Sequence, residues 1–269
     1  MYHPSVHSTA RYKKGPASRN IPININGEGR ERMTKIIITD LTRFQSHGLL
    51  CTAGIDVDTG ELIRPMRAGA GGRHEYLHYD VCKKHTILPG AILEADFSKP
   101  VKLNAPHIED RLYTTIRYLG ACTSEEFESI LQRSTVESIK SGFAMTAKDK
   151  VIPVGTPCPA SIITINIDPA GLRVVEDNYG KIRAHVTDKT GAEYSFLSIT
   201  DLGFFDNVGN PDKRKMSVAE ANAFVRSQDR VYVRVGLSRI HEARGRSGYW
   251  LQVNGIYTFP NFSQIIRSY

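Results

Sequence analysis

Short apolar runs, separated by polar turns, follow one another along the chain from Met33 onward and predict β-strands. In the first half they are KIIIT (35–39), LLCTAGID (49–56), ELIRPMR (61–67), AILEADF (91–97) and YTTIRYL (113–119). In the second half they are SIITINI (161–167), LRVVED (172–177), IRAHVTD (182–188), EYSFLSIT (193–200), RVYVRVGLSRI (230–240) and YWLQVNGIYTF (249–259). Turns such as VDTG, PAG, NYG and KTG lie between several of them, so we expect antiparallel hairpins.

Each half also contains one segment with the spacing of an amphipathic helix. The segments are TSEEFESILQRS (123–134) and SVAEANAFVRSQ (217–228). Each begins with a hydroxyl residue followed three positions later by glutamate, the pattern of a capping box. The capping pairs are Thr123 with Glu126 and Ser217 with Glu220. The apolar face of the first helix is predicted to contain Phe127, Ile130 and Leu131.

The two halves therefore follow the same order, several strands and one principal helix. Residues 135–160 between them are rich in turn formers and indicate a linker or domain boundary. This pattern predicts a mainly β fold, between all-β and α+β, made of two small barrels of the OB type. We place the first OB-like domain at 33–155 and the second at 156–269.

Four segments carry a resemblance to a known family. KIIITDLTRF, LLCTAGIDVDTGELIRPMR, ILPGAILEADF and GYWLQVNGIYTFPNF resemble the dual OB-containing domain family of bacteria, in order and spacing, over residues 33–269. The resemblance implies tandem OB folds and nucleic-acid binding, in the setting of bacterial defence or mobile-element genes. It brings no catalytic motif, and a fold does not by itself establish a function.

Residues 1–32 differ in composition from the rest of the chain. They are rich in Ser, Pro, Gly, Asn and basic residues and have no sustained periodicity, so we expect disorder. GEGRERM ends at Met33, directly before the first strand, and its codons can be purine-rich like a ribosome-binding site. We therefore expect translation to start at Met33. The alternative is a basic arm that binds nucleic acid.

The charge of the chain is compatible with phosphate binding without requiring it. The formal net charge is +7 over 269 residues. Residues 1–32 hold six Lys and Arg against two Glu, a net +4, which leaves +3 for the remainder. Clustering on one face, more than this total, decides whether a surface attracts a polyanion.

Apolar runs and cysteines together indicate a cytoplasmic protein. No run approaches the roughly 18 apolar residues of a membrane span, and the N-terminus has no signal-like apolar region. The four cysteines stand singly, 31 to 40 positions apart, as expected for reduced thiols. They are Cys51, Cys82, Cys122 and Cys158.

HEYLH (74–78) matches H-E-x-x-H, the motif in which one helical face carries two zinc-binding histidines. The preceding AGAGG is unfavourable for a helix, and no third-ligand extension follows. We interpret the motif as a chance match and expect neither an enzyme nor a cofactor. A zinc hydrolase stays as a third alternative. A weaker metal hypothesis is based on the helical spacing of His74, His78 and Cys82.

Basic and aromatic residues carry the functional hypothesis. OB surfaces hold single strands by base stacking combined with Lys and Arg contacts to phosphates. Residues 226–246 have six Arg against two acidic residues, and Arg230, Tyr232 and Arg234 share strand parity. The predicted contacts are Arg43, Arg64, Arg67, Arg230, Tyr232, Arg234, Arg239, Arg244, Arg246 and Trp250.

These residues could instead have purely structural roles, in two ways. Alternate arginines are often a solvated strand face, and Trp250 can be a core residue. The expected ligand is DNA or RNA, with single strands favoured. The alternative function is a protein-interaction module, whose partner would be encoded in the same operon.

Overall fold

Two β-sheets, one from each half of the chain, make up most of the fold. The computed structural model describes residues 33–44, 48–69, 74–243 and 245–261. The predicted disordered tail, 1–32, and the predicted contact Arg244 lie outside these residues. Contacts between the halves join the described residues into a single compact unit. The mainly β prediction is confirmed.

The first sheet has eight strands in the order β4-β3-β2-β1-β6-β8, with β5 paired to β2 and β7 to β3. All pairs are antiparallel except β3 with β7. The strands are β1 Thr34–Arg43, β2 Leu49–Asp56, β3 Leu62–Ala68, β4 His74–Glu75, β5 Leu77–His78, β6 Ala91–Ala95, β7 Asp110–Tyr113 and β8 Ile116–Ala121.

The second sheet also has eight strands, in the order β12-β13-β14-β16-β15-β11-β9, with β10 paired to β16. Its parallel pairs are β14 with β16 and β9 with β11. The strands are β9 Thr135–Val136, β10 Val151–Ile152, β11 Ile162–Ile167, β12 Leu172–Glu176, β13 Ile182–Thr187, β14 Glu193–Ile199, β15 Arg230–Ala243 and β16 Arg246–Phe259.

Among the described residues, five α-helices connect or cover the sheets, and both predicted capping boxes are present. The helices are α1 Tyr79–Lys84, α2 Ser124–Arg133, α3 Ile139–Gly142, α4 Leu202–Phe204 and α5 Val218–Arg226. A 3-10 turn covers Pro169–Gly171, and a π-helical turn covers Phe205–Gly209. Within the described ranges, every helix is too short or too polar to span a membrane.

The predicted strand YTTIRYL is interrupted in its middle. The backbone N–H groups of Thr114 and Thr115 donate to the Asp96 carboxylate, at 3.0 and 2.9 Å. Donation to a side chain replaces ladder pairing there, so the run divides into β7 and β8.

The turn-rich stretch 135–160 contains β9, α3 and β10, and both of these strands pair within the second sheet. Sheet membership therefore changes before residue 135, ahead of the boundary drawn at 155/156. The limits of separate folding domains stay a prediction.

An apolar cluster joins the halves. Phe127, Ile130 and Leu131 of α2 pack with Tyr232 of β15 and Tyr257 of β16, and all five are buried. The predicted apolar face of α2 is thus confirmed. Because buried aromatic rings remove large apolar areas from water, this cluster favours the observed docking of one half on the other.

A buried ion pair crosses the same interface. The Arg234 Nη2 lies 2.7 Å from the Asp40 Oδ2, and the Arg234 Nη1 donates to the Thr164 Oγ1 at 2.6 Å. The two charged side chains are only 1% and 2% exposed. The Tyr257 hydroxyl donates to the Thr39 carbonyl beside them. All of these hydrogen bonds can form together only when β1 and β15 are in this relative position. The network therefore specifies how the two halves of the chain pack together.

Gly248 of β16 lies beside the paired strand β10, and a side chain does not fit there. A Cβ on Gly248 would lie 2.4 Å from the Ile152 carbonyl oxygen and 2.8 Å from the Val151 Cγ1. We expect Gly248→Ala to lower the free energy of unfolding by about 1–3 kcal/mol through overpacking. Urea denaturation measures it, with the exposed neighbour Ser247→Ala as control. Equal midpoints for the two variants would contradict the crowding.

Candidate nucleic-acid interface

A groove of about 1470 Å³ crosses from the first half to the second. One wall includes Arg43 at the end of β1 and Tyr76 between β4 and β5, and the other is formed mainly by β12 to β16. Of the described residues that line the groove, seven are lysines or arginines and two are acidic, Glu176 and Asp177. This excess of cations focuses a positive potential in the groove.

Aromatic rings are exposed along the same groove. Phe196 of β14 is 53% exposed, and Tyr179 in the turn between β12 and β13 is 82% exposed. Phe196 has a φ of 57°, beside a register shift in the β13–β14 pairing. Its ring meets the His185 ring edge-on at 4.5 Å between centroids. Trp250, also in the groove, is half-buried, and its Nε1 donates to the His241 carbonyl at 2.9 Å.

Arg239 is an exposed cation held by aromatic groups. Its Nη2 donates to the Tyr76 hydroxyl at 2.7 Å. Its guanidinium carbon lies 5.1 Å from the Tyr76 ring centroid and 5.4 Å from that of Phe44. Among the residues described, no carboxylate forms an ion pair with it. Cation–π contacts position the charge without neutralising it, so Arg239 retains its attraction for an anion.

Arg43 lies at the seam, where β1 touches the segment after β14. The Arg43 N–H donates to the Thr200 carbonyl at 3.0 Å, and Thr42 forms a bridge with Asp201. The Arg43 guanidinium carbon is 3.5 Å from the centroid of the Phe205 ring. Burial lowers the pKa of Arg43 from its ordinary value; nearby Asp206 opposes this shift.

His107 contributes no charge to the groove near neutral pH. Burial, and then the positive charges of Arg64 and Arg239, lower the pKa of His107 to about 3. Its Nδ1 is buried and has no hydrogen-bond partner within the described structure. His107 therefore adds nothing to the positive charge that the lysines and arginines give the groove.

The family model of the dual OB-containing domain matches residues 35–256. The chain belongs to this family. The dual OB-containing domain is also similar to two solved structures. One is a murine DNA-binding protein bound to double-stranded DNA, with 11% identity, 84% of this chain and 96% of that chain covered, and a TM-score of 0.32. The other is described as structural mimicry for functional antagonism, with 8% identity, 84% and 93% covered, and a TM-score of 0.33. No curated protein matches the chain.

Four of the predicted contacts line the groove of the dual OB-containing domain: Arg43, Arg64, Arg239 and Trp250. Arg67, Arg230 and Arg246 are exposed but do not line it. Arg230 is paired with Glu128, and Arg246 with Asp149. These three side chains do not extend the groove surface.

Three predicted contacts, Arg64, Tyr232 and Arg234, are buried and so are not the exposed side chains that the prediction assumed. Tyr232 and Arg234 are 2% and 1% exposed, because their strand face packs against the first half of the chain. Arg64 is 4% exposed and is neutralised by Asp110. The shared parity of Tyr232 and Arg234 was inferred correctly, but their face meets protein and not solvent.

Several residues that line the groove are not among the contacts predicted from the sequence. Lys181, Arg183 and His185 alternate along KIRAH, so their parity was a usable signal for a basic strand face. Arg173 lines the groove beside them. Phe196 offered no such signal, since an apolar residue within a strand is normally assigned to the core.

The HEYLH segment is extended in the dual OB-containing domain. Its backbone forms β4 and β5, and α1 begins only at Tyr79. The helical spacing that would align His74, His78 and Cys82 is therefore wrong. Cys82 is fully buried in the core of the first half. In the described ranges no three His, Cys, Asp or Glu side chains are grouped for a metal.

Proposed function

We propose that this dual OB-containing domain binds single-stranded nucleic acid along the groove, without catalysis. Bases stack on the exposed rings, and phosphates pair with the lysines and arginines between them. The proposal rests on one observation: in the groove wall, Phe196 combines an exposed apolar side chain with an unfavourable backbone conformation.

Two separate costs occur at Phe196. A left-handed φ at a residue other than glycine costs about 1–3 kcal/mol. Exposure of more than half of the residue's surface forgoes hydrophobic burial as well. Backbone strain of this kind persists where it positions a side chain for binding. Stacking of a base on the ring accounts for both costs, since such stacking contributes about 1–3 kcal/mol per base.

Exposed cations line the same groove as Phe196. Arg173, Lys181 and Arg239 are exposed and line the groove. A stacking platform requires bases that are free of their neighbours, and single strands offer these. Exposed rings together with unneutralised cations therefore support a single strand over a duplex.

Fluorescence anisotropy with labelled single-stranded and double-stranded DNA and RNA tests the proposal. We expect Phe196→Ala to lower single-strand affinity by about tenfold or more, the equivalent of one lost stack. Tyr118→Ala is the matched control, because Tyr118 is an exposed aromatic, 39% accessible, that does not line the groove. It should bind as the wild type does.

A second variant separates binding from folding. Phe196→Gly removes the ring and adopts a positive φ without strain, so it should keep the fold and lose the same affinity. Wild-type affinity in both Phe196 variants would reject stacking at this site. No binding of any oligonucleotide at low salt would reject nucleic-acid binding altogether.

A further inference from the structure

Arg43 differs from the other arginines that are withdrawn from solvent. Within the ranges that the structure describes, five arginines are buried or half-buried. Four of them form an ion pair with a carboxylate: Arg64 with Asp110, Arg111 with Glu61, Arg183 with Asp177 and Arg234 with Asp40. Arg43 has no carboxylate within ion-pair distance among the described residues.

A partly buried cation without a counter-ion is unfavourable. The Arg43 guanidinium loses hydration, and its Nε is buried without a hydrogen-bond partner in the described structure. The Phe205 ring beneath it offers a cation–π contact, which offsets only some of this cost. An anion in the groove would supply the missing charge and accept hydrogen bonds from the Nη groups, which are not among the buried atoms without a partner.

Among the described residues, the Asp206 carboxylate favours the charge of Arg43, but it forms no ion pair with it. The nearby carboxylate of Asp206 is engaged by the Lys213 Nζ at 2.9 Å and by the Asn210 amide at 3.4 Å. Arg183 is close enough to disfavour the charge of Arg43 further. Two guanidinium groups therefore face the same region of the groove with one of them unpaired.

Hydrogen-bond donors beside Arg43 complete the arrangement. Arg183 uses its Nε on Asp177 and its Nη1 on Ser198. Ser198 accepts from Arg183, so its own hydroxyl hydrogen is free for a further acceptor in the described structure. Arg43, Arg183 and Ser198 all line the groove. A phosphate group, with several strong acceptor oxygens and negative charge, matches these donors.

We propose that the seam is a phosphate-binding site, in which Arg43 and Arg183 hold one phosphate of the strand and Ser198 donates to it. The site rests on the proposed function and adds to it one position at which the strand is anchored. Two sources share the chemistry: a phosphodiester within the strand, and a terminal phosphate. A terminal phosphate carries more negative charge than a phosphodiester, and its binding would place one end of the strand at the seam.

Three variants test the site in the full chain: Arg43→Gln, Arg43→Lys and the control Arg67→Gln, which removes an exposed arginine that does not line the groove. The first probe is inorganic phosphate against chloride at equal ionic strength, followed by thermal unfolding. Phosphate should raise the melting temperature of the wild type and of Arg67→Gln, and not that of Arg43→Gln. The Arg43→Lys variant should respond partially, because an ammonium cannot donate in the planar, bidentate manner of Arg.

Stability without phosphate gives a second readout. Since Arg43 lacks a carboxylate partner among the described residues, Arg43→Gln should unfold at the same temperature as the wild type or higher. A large loss of stability would show that Arg43 has a structural role, and it would overturn the proposal.

Oligonucleotides with a 5′-phosphate and with a 5′-hydroxyl distinguish the sources. A preference of about tenfold for the phosphorylated end, lost in Arg43→Gln, would identify a terminal phosphate. Equal affinities that both fall about tenfold in Arg43→Gln would identify an internal phosphodiester. Unchanged binding of all probes by Arg43→Gln, with Phe196→Ala still impaired, would remove the seam site and leave the groove. If instead only the Phe196 variants bind normally, the stacking proposal fails and the seam site stands.

Discussion

Arg234→Met is expected to lower the free energy of unfolding by about 3–5 kcal/mol, the cost of leaving one partner of a buried ion pair alone. The carboxylate that remains is Asp40, whose side chain is 2% exposed. Its Oδ2 would lose the hydrogen bonds that the Arg234 Nη2 and Nε donate, at 2.7 and 3.0 Å. The substitution also removes the bond from Arg234 to the Thr164 hydroxyl. Guanidinium chloride unfolding measures the change.

The double variant Asp40→Leu with Arg234→Met separates charge from packing. With both charges removed, most of the lost stability should return, since a buried pair is often replaceable by apolar residues of similar volume. Arg246→Met is the surface control, because its pair with Asp149 is exposed and is screened by solvent. If Arg234→Met costs no more than this control, the buried pair does not stabilise the docking of the two halves.

The second large effect concerns the salt dependence of binding. We expect a triple variant, Arg173→Gln with Lys181→Gln and Arg239→Gln, to lose most of its affinity for single strands. Each phosphate contact contributes about 0.7 to the slope of log affinity against log salt for single strands. Removal of three contacts should flatten that slope by about 2. Anisotropy titrations at several salt concentrations measure both quantities.

A second triple variant controls for net charge. Arg67→Gln with Arg117→Gln and Arg246→Gln also removes three positive charges, but from exposed arginines that do not line the groove. It should retain nearly the wild-type slope, because counterion release depends on cations in contact with phosphate. The same loss of slope in both triple variants would attribute binding to total charge and not to the groove.

The order of the elements was predictable from local signals. The strand periodicity of LLCTAGID identified β2 with its bounds, and the capping pairs at Thr123 and Ser217 marked the starts of α2 and α5. These signals act between residues a few positions apart, so the sequence expresses them directly. The family assignment from four segments is confirmed as well.

The candidate site was only partly predictable. Arg43 and Arg239 were named from the sequence, yet so was Arg234, which is buried. A strand has the same alternation whether its polar face meets water or another region of the protein. Asp40, the ion-pair partner that allows Arg234 to be buried, lies 194 positions away along the chain.

The sequence by itself determined most of the longer strands, the two principal helices and the presence of enough cations and aromatic residues for a groove. Only the tertiary structure decided which of these residues meet. It buried Tyr232 and Arg234, exposed Phe196 and left Arg43 at the seam without a carboxylate among the described residues. The physical reason is that pairing and desolvation of a charge depend on groups that the fold brings together from distant positions.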